Sequence, residues 1–347
     1  MIVRYIAISN VTAGMILGRT VYDSFGNALL TAGTTLTSAY LSRLKELGYP
    51  ALYIRSPHDV GDLDIVEPVR AATRFRAQST LQKIAADLLI KGVSPGSFDA
   101  TREVVRDLLD DILSSKQLLI NILEIRSFDS YTYGHSVNTC VLSLMAGVLL
   151  GLSRSELISL GLGTLLHDLG KLFVPTEILN KPSSLTAEEF ARVKEHCERG
   201  FNLLRNEVPP LAAHVAYQHH ERCDGTGYPR GLKEDAITLF AKITAVADSL
   251  DAMTSDRVYS RAMLPERAAA VLLAEAPAKY DTQCVQVVTS FVAPYPIGSL
   301  VRLTSGEVGE VVNATRTQTH VVIVRGSRRG QIVVCPDEGA IETCELG

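Results

Sequence analysis

Between residues 69 and 276 apolar side chains recur every three or four positions, the spacing that gathers them on one face of an α-helix. The recurrence breaks at 92–96, 181–184, 209–210 and 224–231, where glycine, proline and serine cluster, so the pattern predicts a succession of helices joined by turns. Before this stretch the period shortens. Residues 2–54 alternate short β-like runs with turn signals at Thr12-Ala13-Gly14, at 24–27 and at Ala32-Gly33. Only 36–47 carries helical spacing there, through Leu36, Tyr40, Leu41, Leu44 and Leu47, and 51–54 reads as a closing strand. Beyond Pro294 and Pro296, the β-branched runs 300–303, 308–312 and 321–324 are parted by Ser305-Gly306 and by a basic turn at 325–330. The expected fold is mostly α: an all-helical bundle over 69–293, a small β-rich N-terminal module at 1–56, a linker at 57–68 and a short C-terminal β-appendage at 294–347. No internal repeat or low-complexity tract interrupts that order.

Composition narrows what such a chain can do. With 347 residues, 46% hydrophobic and 21% charged, it can bury the cores of two or three domains. A net charge of -4 argues against coating a nucleic-acid polymer or an anionic membrane, so an anionic substrate has to be attracted locally. Cys140, Cys197, Cys223, Cys284, Cys335 and Cys344 form no CxxC pair, which suits a reducing cytoplasm. The start, MIVRYIAISN, lacks the apolar core and cleavage site of a signal peptide. The longest apolar stretch, 140–152, is stopped by Arg154 and Glu156 well short of a membrane span and reads as a buried helix.

Histidine is where the sequence departs from an ordinary helical protein. Of eight histidines, His135, His167, His196, His219 and His220, with His214 among them, fall in the helical stretch. Imidazole suits first-row transition metals and carboxylate can bridge two of them, so a mixed His/Asp set without thiolates points to iron or manganese rather than a closed zinc site. His167-Asp168 ends the apolar run 157–166, bringing a nitrogen and an oxygen out together; alone, such a pair can equally be a surface accident. His219-His220 precedes Glu221 and the glycine-rich loop 224–231; alone, it can be a helix end with one exposed and one capping histidine, and the loop a tight reversal.

Five ordered motifs resolve these alternatives together: Tyr131-Thr-Tyr-Gly-His135-Ser, His167-Asp-Leu-Gly-Lys171, Val193-Lys-Glu-His196, His219-His-Glu-Arg-Cys-Asp-Gly-Thr-Gly-Tyr-Pro229 and Ala247-Asp-Ser-Leu-Asp-Ala-Met-Thr-Ser-Asp-Arg257. Over residues 120–290 the chain resembles the HD-GYP family, the all-helical branch of the HD phosphohydrolases that hydrolyses cyclic di-GMP. The resemblance implies metal ligation by His135, His167, Asp168, His196, His219, His220 and Asp248, with Asp168 as the bridge. Two ions about 3.5–4 Å apart neutralise a phosphodiester and lower the pKa of a water between them, giving pGpG first and, in many members, GMP. Lys171 and Arg257 would meet phosphate oxygens, with Tyr259 and Arg261 beside them. Some members add a third ion through a glutamate before the first histidine; here Asp129, Ser130, Tyr131 and Thr132 stand there, so two ions are expected. The family's loop signature falls on Asp224, Gly225, Gly227, Tyr228 and Pro229, implicated in shaping the site and in binding a protein partner such as a diguanylate cyclase domain.

One departure stands out. Family members carry Pro-Tyr and a cation after the Asp-Arg pair, whereas this chain reads Asp256-Arg-Val-Tyr-Ser-Arg261. Ser260 takes the cation's place, and Arg261 lies about 100° further round a helix, which bears on substrate affinity or dinucleotide preference. His214 reads as a surface or satisfied interior histidine, Cys197 and Cys223 as packing residues, and Arg325 to Arg329 as a solvated hairpin loop; His58 and His320 lie outside the domain. The helical run 69–123 is expected to pack on the bundle or to form a homodimer seam. The N-terminal module, with Gly-Met-x-Leu-Gly at 14–18, carries no cofactor motif. Two rivals to the phosphodiesterase remain: a sensor module that binds cyclic di-GMP or a partner protein, and a phosphohydrolase of another cyclic dinucleotide.

Overall fold

The computed structural model describes residues 3–22, 28–47, 49, 51–55, 68–94, 96–115, 131–255, 263–276, 278–314, 318–336 and 339–345. At the N-terminal end, β1 (Val3–Ala7), β2 (Val21–Tyr22), β3 (Ala28–Leu30), α1 (Ser38–Glu46) and β4 (Ala51–Arg55) form two antiparallel pairs, β1 with β4 and β2 with β3. Thr37 caps α1, its hydroxyl accepting the Tyr40 N–H at 3.2 Å. Leu41 and Leu44 turn inward onto Leu17, Leu36, Leu52 and Ile54, whereas Tyr40 and Leu47 stay exposed. The apolar stripe read from the sequence is thus wider than the one buried, because so small a module contacts only the middle of its helix.

The helical region comprises α2 (Ala71–Lys91), α3 (Asp99–Ser114), α4 (Tyr131–Leu149), α5 (Arg154–Leu165), α6 (Thr176–Leu179), α7 (Ala187–Leu204), α8 (Pro210–Gln218), α9 (Leu239–Thr254), α10 (Pro265–Glu275) and α11 (Thr282–Ser290). A 3-10 turn, Leu169–Phe173, follows α5. Local chemistry sets the helix starts: Ser153 and Glu156 make a capping box on α5, Thr186 and Glu189 another on α7, and Pro210 and Pro265 occupy first-turn positions where no N–H is needed. Of the run 140–152, residues 140–147 are buried in α4, with Leu142, Leu144 and Met145 fully so, while 148–150 and Leu152 are half-buried and Gly151 is exposed. Leu81, Ile84 and Leu88 of α2 and Val104, Val105, Leu108 and Ile112 of α3 join the same core, so these faces of α2 and α3 pack within the chain, and 116–123 lie outside the described residues. No helix among the described residues is long and apolar enough to cross a membrane.

Strands β5 (Leu300–Leu303), β6 (Val308–Ala314), β7 (Gln318–Arg325), β8 (Ile332–Pro336) and β9 (Ile341–Glu345) form one antiparallel sheet in the order β8-β7-β6-β5-β9 around Val301, Leu303, Val311, Val321 and Ile323. The last two strands escape the sequence pattern because both lie at the sheet's edges, where Ile332 and Val334 stay exposed and alternation is weak. The turn after β7 is also more than a solvated loop. Arg328 donates from Nε to Glu307 Oε2 at 2.8 Å and from its backbone N–H to Oε1 at 3.0 Å, pinning the turn to the β5–β6 connection.

Candidate metal centre

Five segments converge on one interior point. His135 comes from α4, His167 and Asp168 from the chain just beyond α5, His196 from α7, His219 and His220 from the end of α8, and Asp248 from α9. All are buried except His220, which is half-buried. Gly170 makes the convergence possible, because a Cβ there would lie 1.9 Å from the His196 carbonyl oxygen and 2.7 Å from the Gly200 nitrogen. Only hydrogen lets the turn carrying His167 and Asp168 lie directly on the helix carrying His196.

Backbone carbonyls decide which nitrogen each ring presents. His167 Nδ1 donates to the Thr164 oxygen at 2.7 Å, His196 Nδ1 to Val193 at 2.6 Å and His219 Nδ1 to Val215 at 3.1 Å. Carbonyls only accept, so in the neutral rings all three Nε2 atoms carry lone pairs. Yet His196 Nε2 and His219 Nε2 face each other at 3.3 Å, and Asp168 Oδ1 lies 3.5 Å from the first and 3.7 Å from the second. Three acceptors thus meet in the interior with no proton between them. His167 Nε2 and Asp168 Oδ1 have no hydrogen-bond partner among the described residues. The other carboxylate oxygen, Oδ2, lies 3.5 Å from His167 Nε2 and 4.0 Å from His135 Nε2.

Protonation follows the same pattern. Burial depresses the pKa of His167, His219 and His220, and brings that of His196 to about 4, so these rings are neutral near pH 7. Burial opposes ionisation of Asp168 and Asp248, but Lys171 beside the first and His135 beside the second outweigh it and hold both carboxyls well below their usual range. Neutral imidazoles and ionised carboxylates are the states metal ligation demands. A cation resolves the mutual repulsion of the buried acceptors, so divalent metal ions fit this donor set.

His135 differs. Its Nδ1 lies 2.7 Å from Asp251 Oδ2 and its Nε2 2.9 Å from Asp248 Oδ1; burial opposes its charge, but the two carboxylates raise its pKa to about 10. A cation at Nε2 would take the place of the proton shared with Asp248. Asp251, almost fully buried, also accepts from Asn138 Nδ2 at 3.1 Å, and so orients the ring from behind. The sequence reading missed it. Its signal was there in spacing: Asp251 follows Asp248 by three residues, as Asn138 follows His135, and both pairs share a helix face.

Lys171 donates to Asp168 Oδ2 at 2.6 Å, and a cavity of about 240 Å³ opens beside the pair, lined by Tyr133, Ser136, Leu169 and Leu172 and closed by Leu81 and Leu89 of α2. The glycine-rich loop lies at the other end. Tyr228 packs its ring 4.7 Å from that of His220, followed by Pro229, and Asp224 Oδ1 accepts the Thr226 N–H at 2.8 Å. Gly225 adopts φ +83°, and a Cβ on Gly227 would meet the Arg222 nitrogen at 2.3 Å. Buried Glu221, passed over in the sequence, holds the loop by accepting the N–H groups of Arg230 and Leu232, each at 2.8 Å. Cys197, taken from sequence as a packing residue, places Sγ 3.5 Å from His196 Nε2. His214 stands apart from the centre, against Phe201 at 5.1 Å. Arg257, Tyr259, Ser260 and Arg261 lie outside the described residues.

A family model described as an HD domain matches residues 111–284. The chain belongs to the HD domain family. It is 40% identical over 212 residues to a cyclic di-GMP phosphodiesterase of Pseudomonas aeruginosa, covering 59% of this chain and 51% of that protein. It is 37% identical over 155 residues to a 3′3′-cGAMP-specific phosphodiesterase of Vibrio cholerae, covering 44% and 34%. The chain thus spans about half or less of the length of these curated relatives. The fold is that of an HDG"Y"P protein from Bdellovibrio bacteriovorus, with a TM-score of 0.53 at 19% identity over 83% of this chain and 98% of that one.

Proposed function

We propose that the chain hydrolyses the 3′-5′ phosphodiester bonds of cyclic di-GMP, to pGpG or on to GMP, at two divalent ions held by His135, His167, Asp168, His196, His219, His220 and Asp248. The observation that carries this reading is Asp168, whose two oxygens face two different imidazole groups, as a carboxylate shared by two ions must. Imidazole and carboxylate donors favour iron or manganese. A third ion lacks its donor, because no glutamate stands at 129–132.

When bound, the ions supply Lewis acidity and a water of lowered pKa. The chain's own groups supply position and charge. Lys171, part-exposed beside the cavity, sets a positive charge next to Asp168 where it can offset a phosphate oxygen of the substrate. Asp251 keeps the His135 ring from turning, and Tyr228 restrains His220. The leucines of the cavity wall thin out water around Lys171, strengthening its field. Arg257, Tyr259 and Arg261 enter as substrate contacts through the family resemblance.

The same reading divides the chain into a module at 1–56, a linker at 57–68, a catalytic region at 69–293 and an appendage at 294–347, supported by three separate apolar clusters. It places the protein in the cytoplasm, in keeping with six unpaired cysteines. A protein partner at the Tyr228 loop, such as a diguanylate cyclase domain, and a homodimer belong to it as well.

The test is to load the protein anaerobically with iron or manganese, add cyclic di-GMP or 3′3′-cGAMP in parallel, and follow linear products beside an Asp168→Ala control. Linear product from cyclic di-GMP, lost in the control, is expected. Turnover of 3′3′-cGAMP alone would replace the substrate, and binding without turnover on metal-replete protein would replace the enzyme by a sensor.

A further inference from the structure

We propose that Cys197 is a sulfur donor to the ion at the His196–His219–His220 end of the centre, and that it biases this end toward thiophilic ions such as iron(II), zinc or cobalt over manganese. The proposal rests on the metal-centre reading above and deepens it.

Cys197 follows His196 on α7 and is fully buried. Its sulfur lies 3.5 Å from His196 Nε2, and this Sγ and the donor atoms of His196, His219 and His220 all lie within 4.8 Å of one another. Asp168 Oδ1, buried and without a hydrogen-bond partner among the described residues, points at the same His196 and His219 nitrogens.

Two arrangements can explain the short sulfur–nitrogen approach. In the first, the thiol donates its proton to His196 Nε2. One weak donor then satisfies one acceptor, and His219 Nε2 and Asp168 Oδ1 still face that nitrogen at 3.3 and 3.5 Å. In the second, one cation meets sulfur, both nitrogens and the carboxylate oxygen together. The separations are compatible with it: with metal–nitrogen bonds of about 2.05 Å and a metal–sulfur bond of about 2.3 Å, angles of about 90–110°, which leave room for His220 as a fifth donor, hold nitrogens about 2.9–3.4 Å apart and sulfur about 3.1–3.6 Å from nitrogen. The observed values are 3.3 Å and 3.5 Å. Burial keeps the free thiol protonated, so its proton leaves to solvent as the ion binds; the resulting thiolate is the softest donor in the set, and soft donors select against manganese and magnesium. The ion held by His135 and His167 gains no such bias, so the two ends of the centre differ in metal preference.

Cobalt(II) titrated into the chelator-stripped full chain tests this without reference to turnover. Visible ligand-field bands report histidine and carboxylate coordination, and a near-ultraviolet sulfur-to-cobalt charge-transfer band reports Cys197. Both are expected in the wild type. Cys197→Ala and the near-isosteric Cys197→Ser should keep the ligand-field bands and lose the near-ultraviolet band. Their zinc affinity should fall at least about tenfold, the floor set by losses from changes outside the ligand shell, while manganese affinity holds. Ligand-field bands with no charge-transfer band in the wild type, or a band that survives in both variants, would overturn the sulfur donor and leave the metal centre standing. Absence of both bands would overturn the donor and the centre together.

Discussion

Replacing Gly170 with alanine couples the fold directly to the centre. The added Cβ would start 1.9 Å from the His196 carbonyl oxygen, and real Cβ atoms keep at least 3.0 Å, so the turn and α7 must separate by about 1.1 Å. Backbone lies on the opposing side, at His196 and Gly200, and no side chain can swing away to absorb the clash. Overpacking of this kind costs about 1–3 kcal/mol, which at roughly 2–4 °C per kcal/mol for a domain of this size lowers Tm by about 2–12 °C. The same movement draws Asp168, two residues earlier, away from His196, whose Nε2 now lies 3.5 Å from Oδ1. Misplacement of about 1 Å costs on the order of a hundredfold in rate. Thermal melts, metal counts and product formation on one preparation check the three consequences together. A Gly170→Ala protein that melts with the wild type and binds metal equally well would refute the claim that this close approach assembles the centre.

Other residues make separate predictions. Asp251→Asn leaves one acceptor for the two donors His135 Nδ1 and Asn138 Nδ2, so metal affinity falls about 10–100-fold in a calorimetric titration, without loss of helix content. Glu221→Gln turns an amide NH2 toward the N–H of Arg230 or Leu232, at a cost of about 1–3 kcal/mol, read as faster hydrogen exchange confined to the loop. Chelation should lower Tm and readdition restore it, by about 2.7 kcal/mol of stability at a hundredfold excess over Kd; a Tm indifferent to metal would count against the centre. At the appendage, hydrogen bonds from Arg328 hold the Glu307 carboxyl down to about 2 from 4.5. A depressed folded-state pKa stabilises fully above the unfolded value and is lost as pH falls toward 2, so the stability gap between wild type and Arg328→Met should narrow from pH 5 downward in urea denaturation.

Much of the candidate centre was legible in the chain because its residues fall in ordered motifs that resemble those of a known family, among them a His-Asp dipeptide ending an apolar run and a His-His pair before a glycine loop. Helices were legible for a related reason, since a 3.6-residue period survives in any bundle whose helices bury one face. Asp251 and Glu221 were not, because acidic residues are common and nothing local distinguishes one that orients a histidine or ties down a loop from one that faces water. Strands β8 and β9 were missed because edge strands keep little alternation.

The sequence by itself therefore determined the α-helical class and the β-rich flanks through periodicity, and its resemblance to a known family singled out the candidate histidines with Asp168 and Asp248. Tertiary structure alone decided how they meet. That Asp168 turns one oxygen to His196 and His219 and the other to His135 and His167 depends on Gly170 letting two backbones touch, a distance no residue spacing encodes. That the Cys197 sulfur approaches His196 Nε2 depends on which way one buried side chain points, which periodicity places only to within a helix face.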